Sequence, residues 1–320
     1  RFDQFLNGDI RPIRLRMDTS GGGASLVGRA GLGGAVAGDL WLKASDTGRF
    51  LAALGAGNVA LPQGLGRTMD VKLQLTLTPD RRLALRELVA DLDGNTLRGA
   101  ADITLNGTPN VNAQLDTGAL KLAGFAGSAP PPGEAASTTT AAAGWSKAPI
   151  DASGLAAFNG EIALRADSIE LGTLTFGGTR ILLRNDKSRL VAELREVNAY
   201  DGTVSGEFVV NNRNGLSVGG KLAAQAISMQ PLLQQTAGLS RFKGTGDAEI
   251  SFLGSGGSLD AIMRSLRGDG AISVGRGSID GIDLDGLMGN FDVQGGTTVF
   301  DSLGATFAID QGVLRNEDLL

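Results

Sequence analysis

The stretch VKLQLTLT, residues 71–78, alternates without a break: Val71, Leu73, Leu75 and Leu77 fall on one side, Lys72, Gln74, Thr76 and Thr78 on the other. Side chains of an extended backbone point to opposite faces with a period of two, so such a run is a strand with one dry and one wet face. The same one-sided alternation returns at 97–105, 111–115, 162–166, 181–183, 190–194, 204–210, 216–218, 248–252 and 272–274. Between the runs stand TPD, LDGN, NGT, RNDK, YDG and NNRNG, combinations that favour tight turns. One-faced strands joined in this way are antiparallel, so the pattern predicts an all-β chain. Helical periodicity is confined to 46–54, 228–238 and 258–268. The last two open on Ser228 and Ser258 as N-caps and close on glycine.

What the chain lacks narrows its chemistry. It contains no histidine and no cysteine, which removes the usual general base, the commonest metal ligand, thiol nucleophiles and structural zinc. Net charge is −5, with 29 Lys and Arg spread singly, so no nucleic-acid footprint is present. The reading is of a protein that is not an enzyme and uses no cofactor or metal. The segment GRGSIDGIDLDG, 275–286, lacks the spacing and closing Glu of a calcium loop, and its aspartates read as solvated turn residues. GLGGAVAG (31–38) and GSGGS (254–258) lack the G-K-[ST] of a phosphate loop and read as hairpin turns. Asp91 and Asp93, at same-face spacing beside a turn, read as surface charge.

GSAPPPGEAASTTTAAAGWSKAP, 127–149, has a proline triplet and no periodicity, and reads as a flexible loop or linker. It divides the chain into an N-terminal β segment, 1–126, and a C-terminal one, 150–320. Both ends look cut, which suggests a piece of a longer protein. Three passages, beginning at Ala24, Asn95 and Gly202, share one plan: polar turn, strand crossed by a glycine (Gly28, Gly99, Gly206), Gly/Asn turn, second strand. Repetition of a hairpin unit indicates an array whose units lean on one another.

The aliphatic faces carry the most weight. Val71, Leu73, Leu75, Leu77, Ile103, Leu105, Ile162, Leu164, Ile181, Leu183, Phe208, Val210, Ile250, Phe252, Ile272 and Val274 are the candidate lining of one apolar surface. A β-sandwich core has the same alternation. Aromatics are only 5% of the chain, thin for such a core, and the hairpins continue with no obvious point of closure.

The passage GTGDAEISFLGSGGSLDAIMRSLRGDGAISVGRGSIDGIDL, 244–284, resembles the C-terminal region of the AsmA family. The positions that carry the likeness are Leu266, Gly268, Gly270, Ile272, Gly277, Ile279, Gly281, Ile282, Asp283 and Leu284. GTLTFGGTRILLRNDKSRLVAELREVNAYDGTVSGEFVVN, 172–211, is similar to a second passage of that family, and 1–127 shares only the strand rhythm. The resemblance implies a long curved antiparallel sheet forming an open groove. Its glycines would bend the backbone at Gly277 and Gly281, with Ile279, Ile282 and Leu284 on the apolar side. It further implies a periplasmic segment of a Gram-negative envelope protein, anchored in the inner membrane by a part outside this chain. Such a groove would carry phospholipid towards the outer membrane, with acyl chains as its partner. About fifteen strands at ~4.8 Å spacing would make a trough ~70 Å long. The alternative is a non-catalytic scaffold or assembly module of the envelope without lipid cargo.

Overall fold

The computed structural model describes residues 10–55, 61, 63–122, 145–172, 174–281 and 296–318. They divide into two compact units, residues 1–127 with 156–187, and residues 128–155 with 188–320. Every alternating run is a strand.

The first unit holds β1 (Arg11–Asp18), β2 (Gly22–Ala30), β3 (Val36–Ala44), β4 (Met69–Leu77), β5 (Arg82–Leu92), β6 (Asn95–Thr104), β7 (Asn110–Lys121), β8 (Asn159–Leu171), β9 (Leu174–Phe176) and β10 (Thr179–Asp186). β1 to β7 pair in chain order, each antiparallel to the next. β7 then pairs with β8 in parallel, and the far side of β8 takes β9 and β10 antiparallel.

That parallel pair corrects the expectation of a wholly antiparallel sheet. Alternation reports a strand's faces but not its direction, and a parallel neighbour needs only a crossover of a dozen or more residues. The chain between β7 and β8 supplies it. The proline triplet lies within 123–144, outside the described residues, as does most of the predicted linker. The described end of that segment is attached to the second unit: Asp260 N donates to Ser146 O (3.0 Å) and Ile150 N to Gly257 O (2.9 Å). The units therefore do not part at the proline-rich stretch alone, because the β7–β8 ladder ties 159–170 to the N-terminal strands.

The second unit pairs β11 (Arg189–Ala199), β12 (Gly202–Asn211), β13 (Ser217–Ser228), β15 (Thr245–Ser255), β16 (Arg267–Val274), β19 (Leu303–Asp310) and β20 (Val313–Arg315) in that order, all antiparallel. A smaller sheet joins β14 (Phe242–Lys243), β17 (Gly277–Asp280) and β18 (Thr297–Phe300).

The repeat is visible as geometry. The β5–β6 turn, Asp93 and Gly94, and the β11–β12 turn, Tyr200 and Asp201, have positive φ at both central residues, as two-residue hairpins require. A register shift follows in each, between Leu85 and Leu88 and between Leu194 and Val197. Gly99 pairs with Leu88 and Gly206 with Leu194 at these bulges. A side chain at Gly99 would collide with the carbonyl of Gln114, and one at Gly206 with that of Lys221. Glycine is needed there because the neighbouring backbone comes too close for a Cβ.

Among the described residues three short α-helices flank the sheets: α1 (Thr47–Ala53), α2 (Met229–Ala237) and α3 (Leu259–Ser265). Asp46 caps α1 by accepting from Arg49 N (2.9 Å), and Ser258 caps α3 by accepting from Ala261 N (3.2 Å). Ser228 occupies the N-cap of α2 without a capping bond, since its hydroxyl donates to Asp201 (2.9 Å) instead. Gly238 ends α2 in the left-handed conformation, as the sequence predicts. α3 ends three residues earlier than its pattern predicts, because Leu266 turns extended and Gly268 already pairs in β16.

Candidate functional site: the apolar faces of the two sheets

In-register partners point to the same face, so a row can be followed from strand to strand. In the first unit one row runs Gly38, Leu75, Leu85, Ala101, Ala113, Ile162, Leu183. Beside it lie Val36, Leu77, Leu83, Ile103 and Val111, and on the other side Leu115, Leu164 and Ile181. Leu42, Val71, Ala90 and Leu97 make a further row. Every predicted lining residue of this unit except Leu105, just past the end of β6, sits in these rows or, like Leu73 opposite Leu40, between them.

The second unit repeats the arrangement with other residues. One row reads Ala192, Phe208, Gly220, Phe252, Gly268, Ile309, and the next Leu194, Gly206, Leu222, Ile250, Gly270, Phe307. Ile272 lies between Ala248 and Ala305, Val274 between Gly246 and Leu303, and Val210 between Leu190 and Val218. Leu40 and Phe307 were missed by pattern reading because glycine or alanine interrupts the alternation around them. Pairing register alone places them.

Burial decides what these rows are. Of the sixteen predicted lining residues, Leu73 (8%) and Val274 (2%) are fully buried, Phe208 is 36% exposed, and the remaining side chains are half-buried. Among the described residues the largest fully enclosed side chains are only Phe50, Asn95 and Thr179. A sandwich would seal its facing aliphatic rows, since packed cores leave few voids. Here each unit keeps an aliphatic surface partly accessible.

At the strand ends that surface is closed. In the second unit Met229, at the start of α2, lies over the Gly246–Val274 row: a Cβ on Gly246 would be 3.0 Å from Val274 Cγ2 and 3.2 Å from Met229 Cε. Ile227, Met229 and Val274 are buried together there, so Val274 is packed rather than lining. At the opposite end α3 sets Ile262 over Gly254, where a Cβ would be 3.0 Å from Ile262 Cγ2. In the first unit, loop 64–68 lies over Leu92 and Asn95. Asn95 Nδ2 donates to Gly64 O (2.8 Å) and to Lys121 O (3.0 Å), while its Oδ1 accepts from Lys121 N (2.8 Å). Asp93 accepts from the backbone N–H groups of Gly64, Gly66, Arg67 and Thr68. Partial burial pushes its pKa up, but the four donors more than offset that and hold it at about 2. Asp93 is thus a loop clamp, not the surface charge its spacing suggested. Asp91 likewise accepts from Gly94 N (3.0 Å) within the turn.

The reverse faces carry ion pairs interspersed with exposed apolar side chains such as Trp41, Val89 and Leu253. Arg86 pairs with Asp102 (2.6 Å) and Arg184 with Glu161 (3.0 Å), and Trp41 Nε1 donates to Asp70 (2.8 Å). These pairs are solvent-exposed and contribute little to stability. A concavity of about 1130 Å³ in the second unit is lined mainly by side chains of this face, including Lys221, Glu249 and Asp269.

The glycine-rich motif resolves in part. Gly268 and Gly270 lie within β16, and Gly281 has a positive φ of 84° beyond β17. Gly277 is not a bend but the first residue of β17, where a side chain would strike the Phe300 ring and the Lys243 carbonyl. Asp280 is occupied by an ion pair with Lys243 (2.7 Å), which with a Thr297 hydroxyl keeps its carboxyl below the usual range. Ile282, Asp283 and Leu284 lie outside the described residues. No helix among the described residues is long and apolar enough to cross a membrane.

A family model described as the AsmA family matches residues 42–319. No curated protein and no solved structure matches the chain.

Proposed function

The chain belongs to the AsmA family, and from that premise we propose that it binds phospholipid acyl chains on the apolar faces of its sheets and conducts them through the periplasm between inner and outer membrane. One observation carries the reading: aliphatic rows cross strand after strand yet stay half-open, while their ends are capped by α2, α3 and loop 64–68. Such a surface is a liability unless something apolar covers it. A phospholipid supplies two hydrocarbon chains at ~0.8 kcal/mol per buried CH₂, on the order of 25 kcal/mol gross for two sixteen-carbon chains. The rows run across the strands at ~4.8 Å steps, so a chain lying along them meets apolar side chains on most strands, with glycines between them in the second unit. As a carrier it supports outer-membrane biogenesis. Its membrane anchor belongs to a part of the protein beyond this chain.

The test pairs two measurements on Leu75→Asp and Ile250→Arg. Bound phospholipid, quantified by mass spectrometry after incubation with phosphatidylethanolamine vesicles, is expected to fall at least ~10-fold, since hydrocarbon would meet an unpaired ion. Thermal stability should drop only a few degrees, because an open face lets the charge reach water. Cooperative unfolding of both variants would instead reveal a sealed core. A wild-type protein that captures no lipid would favour an envelope scaffold.

A further inference from the structure

The two apolar faces are paved differently, and the difference lies in where the rings sit. In the second unit the aromatics of the face stand in register opposite glycine on a neighbouring strand: Phe208 and Phe252 opposite Gly220, Phe252 also opposite Gly268, and Phe307 opposite Gly270. A Cβ on Gly270 would strike the tip of the Phe307 ring, and one on Gly220 would lie 3.4 Å from Phe252 Cε1. Both rings therefore lean along the sheet, over the bare backbone of the next strand, instead of standing away from it. Rings over cross-strand glycines also cover exposed backbone, which accounts for their stabilising use in sheets. The same seat holds Phe300 over Gly277 in the smaller sheet, so the seat is a structural device first; on the face that holds the aliphatic rows it also fixes how far the rings rise.

We infer that these glycine seats set the headroom above the apolar face of the second unit, making Phe307 and Gly270 a specificity-determining pair for the acyl chains that pass. The inference rests on the lipid-carrier reading. A phenylalanine lies low only where the opposite residue has no side chain; opposite a branched residue it must rise into the path. Ala305 provides the contrast, because its in-register partner is Ile272.

The experiment compares wild type, Ala305→Phe, and Ala305→Phe with Ile272→Gly, all as the full chain. Each is incubated with dioleoylphosphatidylethanolamine vesicles, re-isolated, and its bound phospholipid counted by mass spectrometry, with circular dichroism to confirm folding. The unseated ring should lower capture roughly fivefold, and the added glycine should restore it to within about twofold of wild type. A lipid-free readout accompanies it: the Gly270 Hα protons should be shifted upfield by the Phe307 ring and return on Phe307→Leu. Equal capture by wild type and a folded Ala305→Phe, or no recovery in a folded double variant, overturns the seat while leaving the carrier reading intact. An unshifted Gly270 overturns it too. Should wild type capture no lipid, the carrier reading falls first and this inference with it. If either variant fails to fold, the Gly270 shift decides.

Discussion

The two sheets bring their apolar faces to an end in opposite ways. In the first unit the face stops at a polar clamp, with Asn95 buried beneath loop 64–68 and Asp93 gathering four of its backbone N–H groups. In the second, a hydrophobic plug of Ile227, Met229 and Val274 does the same work beneath α2. The Tyr200 hydroxyl secures that helix by donating to Gln235 (2.6 Å). An open aliphatic surface must be bounded somewhere, or its last row would present both apolar carbon and unpaired backbone to water. Either solution suffices: hydrogen bonds to fixed backbone groups, or a side chain that continues the apolar packing. The two fail under different conditions, and that gives the means to separate them.

The largest effect is expected at the polar clamp. Asn95→Ala removes three hydrogen bonds and leaves the Lys121 backbone groups and Gly64 O without partners in a dry site, for a loss of about 3 kcal/mol. Urea unfolding read by amide exchange should place the loss in strands β4 to β7. A uniform loss over β11 to β19 would contradict the separate closure of the two faces. Next comes Val274→Ala, which opens a cavity under Met229 and should cost about 2 kcal/mol. That loss should appear in the second unit and be insensitive to pH. The smallest effect is acid dependence. The Asp93 pKa is depressed, so its contribution is complete above the unfolded value near 4 and is lost as pH falls towards about 2. Discounted for partial solvent exposure, the loss is about 1–2 kcal/mol. Protection of the Gly66 and Thr68 amides should weaken through that window. If Asp93→Asn keeps the same acid profile, another group is responsible.

Much of this architecture was legible in the residues. Alternation at 71–78 placed β4, and the turn residues LDGN and YDG placed both I′ hairpins, since a positive φ at two successive positions leaves few residue types able to serve. Gly28, Gly99 and Gly206 marked the repeat, and two of them pair at bulges. The Asp93 clamp was not legible, because its partners lie 25 to 29 residues away and a carboxylate beside a turn usually faces water. LDGN following the glycines at 64 and 66 was the only local signal for it. Nor was the seating of Phe307, which depends on the residue across the ladder.

By itself the sequence determined which residues form strands, which side of each is apolar, and that neither histidine nor thiol chemistry is available. Those are properties of a short stretch of backbone, written with a period of two. Only the tertiary structure decided that β8 runs parallel to β7, that Leu73 and Val274 are sealed while Leu75 and Ile250 stay accessible, and that glycines face the rings. Each of these depends on a residue brought close by pairing from elsewhere in the chain. An alternating strand looks the same whether its dry side meets another sheet or is left open for hydrocarbon, because alternation records that a face avoids water and not what takes water's place.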